Sequence, residues 1–356
     1  ENTPGRPAVG PKRRGERAVK ETIAVLGAGS FGIALSRLLA EKGFSVRLWG
    51  RNPEEMEHLA RERRHRRYLP DVVLPPAVAV TSDLFAALSG ADIVLFAVPS
   101  QALREVLTAA RAFVPGDALL VNVAKGLEVG SNLRLSQVIE EVIPGAARRL
   151  AVLSGPSHAE EVAVGKPTSV VAAAYVEDVA RRTQELFLTP ALRVYTNADV
   201  VGVELGGALK NIIAIAAGMS DGLGYGHNAR AALVTRGLVE MTRLGQRLGA
   251  HPLTFSGLSG LGDLIVTTSS PLSRNWRAGY LLGQGLSLGE VRRTIGQAIE
   301  GISTARAARE LALRLGVSMP ITEALYAVLF EGLDPRTAAD QLMGREPKPE
   351  VEILPF

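Results

Sequence analysis

Two lysines stand out as groups able to move a proton. The chain has seven lysines and 33 arginines, so most of its positive charge is guanidinium, which keeps its proton across the physiological range. A lysine retained inside an apolar stretch is therefore informative, because a desolvated amine can be brought to a pKa of about 7–8 and then exchange a proton. Lys125 follows the apolar run 119–124. Lys210 lies within the apolar run 200–219, among the small residues Gly206, Gly207, Ala214 and Ala217. Lys210 is the candidate proton donor and acceptor, and Lys125 is placed to orient and polarise a carbonyl. The competing reading for each is an amine that reaches solvent along its own stem.

Other groups suit a small anionic substrate. Gly155-Pro156-Ser157 ends another apolar run, and the glycine-rich segment 257–263 ends in Asp263. Ser273-Arg274-Asn275 follows Pro271 and opens a helical pattern, so a serine cap, a guanidinium fork and a helix dipole converge, which suits a phosphate. Alone, that tripeptide would be a plain helix cap. The chain has no cysteine, which excludes a disulfide scaffold, a thiolate metal site, an iron–sulfur cluster and a cysteine nucleophile. Its five histidines, His58, His65, His158, His227 and His251, show no ligand spacing to one another. Neither a metal nor a Ser/His/Asp triad is expected.

A cofactor signal precedes these groups. Gly27-Ala28-Gly29-Ser30-Phe31-Gly32 fits G-x-G-x-x-G directly after a short apolar strand and at the opening of a helix. There Gly27 permits the tight turn, Gly29 admits a pyrophosphate, Gly32 allows close helix–strand packing, and the helix N-terminus supplies donors. The end of the second strand reads Trp49-Gly50-Arg51-Asn52, without the carboxylate that would hold an NAD ribose. Arg51 can pair with a 2′-phosphate, which favours NADP(H), while Asn52 leaves a hydrogen bond to a plain ribose open.

These groups need a frame, and 356 residues point to about two domains. Hydrophobic residues at 47% and charged residues at 21% exclude a disordered chain. Apolar runs at 23–26, 45–49, 92–98, 118–124, 149–153 and 168–173 alternate with helical stretches such as 31–42. From 200 onward the pattern is helical, at 200–219, 230–248, 274–284, 302–315 and 321–331. The expected class is α/β, a doubly wound parallel Rossmann-type sheet followed by an all-helical C-terminal domain. The expected division is a flexible basic extension over 1–20, a dinucleotide-binding domain over 21–195, a helical substrate and catalytic domain over 196–345, and a tail over 346–356.

Six of the 40 basic residues and two of the 36 acidic ones fall within residues 1–20, which leaves a neutral body of 34 each. Nucleic acid therefore has no global basic field to follow, and the run 61–67 reads as a solvated helix face. The stretch 200–219 carries Glu204, Lys210 and Asn211, so a buried helix is expected and not a membrane span.

Taken together, these residues resemble the bacterial-type NAD(P)-dependent glycerol-3-phosphate dehydrogenase family over about residues 21–345. The matching strings are the glycine turn at 27–32, Ala124-Lys125-Gly126-Leu127-Glu128, Ser154-Gly155-Pro156-Ser157, the run 203–211 ending in Leu209-Lys210-Asn211, Gly260-Leu261-Gly262-Asp263-Leu264, and Ser273-Arg274-Asn275. The resemblance implies that Ser30, Phe31, Arg51, Tyr68, Ala159, Arg274, Ala298 and Glu300 contact the dinucleotide, NADP(H) or NAD(H). It implies that Lys125, Gly155, Ser157, Lys210, Asp263, Ser273, Arg274 and Asn275 bind substrate, with Lys210 as general acid and base, Lys125 and Asp263 as the other catalytic residues, and Lys125 also reaching the dinucleotide. Ser157 stands where threonine also occurs in the family, and Ala298 where a larger aliphatic residue is common. The implied reaction is reversible reduction of dihydroxyacetone phosphate to sn-glycerol 3-phosphate for phospholipid synthesis, in the cytoplasm. The expected partners are a small phosphorylated substrate and a second copy of the chain. The alternatives are another two-domain NADP-dependent hydroxy-acid reductase, which would need a carboxylate clamp, and a non-catalytic NADPH sensor, which would not need the buried lysines.

Overall fold

The computed structural model describes residues 21–347, 349 and 350. The expected basic extension and residues 351–356 of the expected tail lie outside them. The first part of the chain alternates β1 (Thr22–Leu26), α1 (Ser30–Glu41), β2 (Ser45–Trp49), α2 (Pro53–Glu62), β3 (Val78–Thr81), α3 (Leu84–Leu88), β4 (Ile93–Phe96) and α4 (Leu103–Ala110). It continues through β5 (Leu119–Asn122), α5 (Leu135–Val142), β6 (Leu150–Ser154), α6 (Ala159–Ala163), β7 (Thr168–Ala174), α7 (Glu177–Phe187) and β8 (Leu192–Asn197). The second part is helical: α8 (Val200–Gly222), α9 (Gly226–Arg247), α10 (Asp263–Ser269), α11 (Arg274–Gly283), α12 (Leu288–Ile295), α13 (Glu300–Leu315), α14 (Pro320–Phe330) and α15 (Pro335–Met343).

The strands form one sheet in the order β3-β2-β1-β4-β5-β6-β7-β8, and every neighbouring pair is parallel except β6 and β7. Successive strand residues face opposite sides. Ile23, Val25, Ile93, Leu95 and Val121 therefore meet α1 and α6 on one face, while Ala24, Leu26, Val94, Phe96 and Leu120 meet α3, α4 and α5 on the other. Both faces are covered, as a parallel sheet requires. Chain order reverses between β1 and β4, which opens a crevice at their C-terminal ends.

The helical part is built on α8. Its seam with α11 is backbone against backbone: a Cβ at Gly279 would lie 1.8 Å from the Ile215 carbonyl oxygen, and one at Gly218 would lie 1.9 Å from that of Trp276. Only glycine admits this approach, so the seam fixes the start of α11 relative to Lys210 on α8. A second tie joins α8 to the sheet domain. The buried Glu204 carboxylate accepts from the Ser136 N–H at 2.8 Å, and from Ser136 Oγ and Arg134 Nη1 at 2.5 Å each, where α5 begins.

Two expectations are corrected. The strands do not stop at residue 195: β8 runs to Asn197, and its alternating burial, with Arg193 and Tyr195 exposed, is that of an edge strand. Asp199, whose carboxylate accepts from the Gly202 N–H at 2.8 Å, marks the start of α8. The run 61–67 is not a helix face, because α2 ends at Glu62 and Arg63 turns to a φ of 56°. The Arg63 guanidinium donates to the carbonyls of Leu74, Pro75 and Val78, which pins the following loop. The short strand β3 was also unforeseen. Among the described residues α8 alone is long and apolar enough to cross a membrane, and it is mostly buried within the protein.

Candidate active site

The glycine turn is built as a dinucleotide cradle. Gly27 has a φ of +124°, and a Cβ there would lie 2.5 Å from the Ala97 carbonyl oxygen. At Gly32 a Cβ would lie 1.9 Å from the Gly27 carbonyl oxygen, whereas Gly29 faces open space. Gly29 caps α1 without a side chain, which leaves the first N–H groups of that helix free to meet a pyrophosphate. Ser30 and Phe31 start that helix, and both are half-buried. A dinucleotide fits these residues, and when bound it would supply the hydride.

The other expected cofactor residues come from several elements. Arg51 projects from the end of β2, exposed. The Asn52 Oδ1 is already engaged as the cap of α2, accepting from the Glu54 and Glu55 N–H groups at 3.0 and 3.3 Å, so that oxygen is not left for a ribose. Tyr68 packs against His65 with ring centroids 4.8 Å apart. Ala159 is buried at the start of α6 among the residues that meet α1. Ala298 is exposed just before α13. Glu300 reaches across to the sheet domain, where its carboxylate accepts from the Ser100 N–H at 3.0 Å and from the Ser100 hydroxyl. Burial pushes the Glu300 carboxyl up in pKa, and the Ser100 hydrogen bonds partly offset this.

The two lysines meet on one carboxylate. Asp263 is 1% exposed. Its Oδ1 accepts from Lys210 Nζ at 2.5 Å and its Oδ2 from Lys125 Nζ at 2.7 Å. Lys125 also donates to the Gly155 carbonyl at 3.0 Å, which the Ser157 hydroxyl shares at 3.0 Å. Lys210 donates as well to Thr267 Oγ1 at 2.7 Å, one turn beyond Asp263 on α10. Small residues make this convergence possible. A Cβ at Gly207 would lie 2.6 Å from Ser154 Oγ and 3.5 Å from the Lys125 stem, and one at Gly206 would lie 2.6 Å from the Ser259 carbonyl oxygen. Residues Leu258–Gly262 form a single π-helical turn that delivers Asp263 to this point, a feature often found at functional sites.

The electrostatics suit proton exchange. Burial lowers the Lys210 amine to a pKa of about 8; Asp263 pulls against that shift, and the charges of Lys125 and Arg274 add to it. Burial alone would raise the Asp263 carboxyl, but the ammonium groups of Lys125 and Lys210 outweigh it and hold the carboxyl below its usual range. Two ammonium groups meet on one carboxylate, and the Arg274 charge reaches Lys210, a surplus of positive charge suited to an anionic ligand.

The Ser273-Arg274-Asn275 segment opens α11 as the sequence suggests, with Ser273 Oγ accepting from the Trp276 N–H at 3.2 Å. Arg274 is exposed, and its Nη1 donates to Gln297 Oε1 at 3.4 Å. The Asn275 side chain works as a brace: its Nδ2 donates to Asn211 Oδ1 at 2.9 Å, and its Oδ1 accepts from the Gly301 N–H at 2.9 Å. What Asn275 offers an anion is its backbone N–H in the first turn. Thr267, Ser100 and Asn211 are site residues that the sequence reading missed. For Thr267 the signal is its i+4 spacing from Asp263.

Two family models cover the chain. The model described as NAD-dependent glycerol-3-phosphate dehydrogenase N-terminus matches residues 22–180, and the corresponding C-terminus model matches residues 199–340. The chain is 54% identical over 335 residues to a glycerol-3-phosphate dehydrogenase (NAD(P)+) of Geobacillus kaustophilus, covering 94% of this chain and 97% of the relative. It is 52% identical over 334 residues to one of Bacillus cereus, covering 94% and 98%. The crystal structure of glycerol-3-phosphate dehydrogenase from Coxiella burnetii superposes with a TM-score of 0.88 at 41% identity, over 92% of this chain and 99% of that one.

Proposed function

The chain belongs to the NAD-dependent glycerol-3-phosphate dehydrogenase family, and from that premise we propose how its residues carry out the reaction. It is an NAD(P)-dependent oxidoreductase that interconverts dihydroxyacetone phosphate and sn-glycerol 3-phosphate. The observation that carries the assignment of roles is the single buried carboxylate, Asp263, holding both lysine amines. Lys210 gives its proton to the ketone oxygen as negative charge develops there, and takes one from the alcohol in reverse. Lys125 stabilises the same oxygen and orients it. Asp263 and Thr267 fix the Lys210 amine, so little ordering is left for the moment of reaction. Arg274 and the backbone N–H groups that open α11 hold the phosphate, while Gly155 and Ser157 line the remainder of the substrate.

In this reading the sheet domain carries the dinucleotide, and the substrate sits between Lys125, Gly155 and Ser157 of that domain and the residues of the helical domain. Ser30, Phe31, Tyr68, Ala159, Ala298 and Glu300 border the dinucleotide crevice. The enzyme acts in the cytoplasm as a homodimer. Sedimentation would check the dimer.

Loss of NADPH absorbance with dihydroxyacetone phosphate, and its absence with 2-oxo acids, separates this reaction from hydroxy-acid reduction and from cofactor sensing without turnover. Arg274→Ala should raise KM for the phosphorylated ketone by roughly 10–100-fold, the worth of hydrogen bonds to a charged group, with a smaller change in kcat. An unchanged KM would remove Arg274 from the phosphate site.

A further inference from the structure

The end of β2 lacks an acid, and one from another helix lies beside it. Gly50, Arg51 and Asn52 close β2 with no carboxylate, and the Asn52 Oδ1 is spent on capping α2. Glu105 lies in the first turn of α4, the helix that follows β4. In the sheet, β1 stands between β2 and β4, and the end of β1 carries the glycine turn. A contact of Arg51 Nη1 with Glu105 Oε2 at 3.6 Å therefore spans the crevice mouth, on the side where this fold places the adenosine ribose. Both side chains are largely exposed, at 75% and 72%. An ion pair so placed contributes little to folding, yet each partner is free to turn to a ligand.

We propose that Glu105 is a cofactor-selectivity residue that works against Arg51. Its carboxylate accepts a hydrogen bond from the ribose 2′-hydroxyl of NADH and repels the 2′-phosphate of NADPH, whereas Arg51 attracts that phosphate. The pair keeps the site open to both dinucleotides, and this assignment rests on the dinucleotide reading of the crevice given above.

The test is direct binding to the full-length enzyme, by titration calorimetry with NADPH and with NADH, without substrate. Glu105→Gln should weaken NADH and tighten NADPH, moving the ratio of their Kd values by about tenfold toward NADPH, the worth of one hydrogen bond to a charged group. Arg51→Gln should move the ratio the other way by a similar factor, and both shifts should shrink in high salt. A Glu105→Gln ratio within twofold of the wild type, or equal shifts for both dinucleotides, would overturn the role of Glu105. Failure of the wild-type enzyme to bind either dinucleotide would instead overturn the reading of the crevice itself.

Discussion

Lys210→Ala should lower kcat for ketone reduction by about 10²–10⁴-fold, the usual contribution of a positioned general acid, with little change in NADPH affinity. The Lys210 side chain is 8% exposed and its amine is held by Asp263 Oδ1 and Thr267 Oγ1, so it is both shielded from water and aimed. Its pKa of about 8 sets the pH dependence. Below that value Lys210 carries the proton that reduction consumes; above it, the free amine can accept the proton that alcohol oxidation releases. Rates of reduction should therefore fall as pH rises through about 8, rates of oxidation should rise through the same window, and the alanine variant should lose this reciprocal pattern. Lys210→Arg should not restore it, because a guanidinium does not give up its proton in this range. Folding should survive the alanine change, since Asp263 keeps Lys125 as a partner at 2.7 Å. Near-normal turnover in Lys210→Ala would take this residue out of the mechanism.

The parts of this site that were legible in the sequence share one property, a residue type that makes little sense where it stands unless it has a job. Lys210 in an apolar helix and glycines at 27, 29 and 32 between a strand and a helix are of that kind. The i+4 spacing of Thr267 from Asp263 counts only if α10 begins at Asp263, and that start is set by a π-helical turn over Leu258–Gly262 with no clear sequence mark. The direction of β7 was hidden for a related reason: an apolar strand covered on both sides reads the same parallel or antiparallel, and only its pairing with β6 reveals it. β8 was lost because an edge strand with Arg193 and Tyr195 outward lacks the apolar run that marks its neighbours. Asn275 shows a subtler limit. The resemblance makes it a substrate-binding residue, but the distant residues Asn211 and Gly301 occupy its side-chain amide. Glu105 is an ordinary exposed acid in a first helical turn until the strand order brings it beside Arg51.

Asp263→Asn should damage both stability and turnover, unlike the lysine change. The carboxylate is the shared counter-charge for two ammonium groups, Lys125 and Lys210, whose side chains are 18% and 8% exposed. An amide leaves those charges beside each other without it, and breaking a buried pair in this way costs about 3–5 kcal/mol. Lys210 would then lose the attraction that opposes its desolvation and keep the repulsion from Lys125, so its pKa should drop below the present value of about 8. At neutral pH less of the amine would hold a proton, and ketone reduction should fall by a factor comparable to that expected for Lys210→Ala. The sign of the stability effect follows from linkage. Between the depressed folded pKa of Lys210 and its unfolded value near 10.5, the unfolded chain binds more protons, so stability rises with pH across that window. The wild type shares this slope above about 8, so the deficit of Asp263→Asn should be largest at and just below the variant's own lower Lys210 pKa, and should shrink as pH rises from there to about 8. Urea unfolding of both proteins at neutral and at alkaline pH, with pH–rate profiles beside it, measures each part. An asparagine variant as stable as the wild type at neutral pH, with its rate profile unmoved, would show that Asp263 does not hold the two amines in the working enzyme.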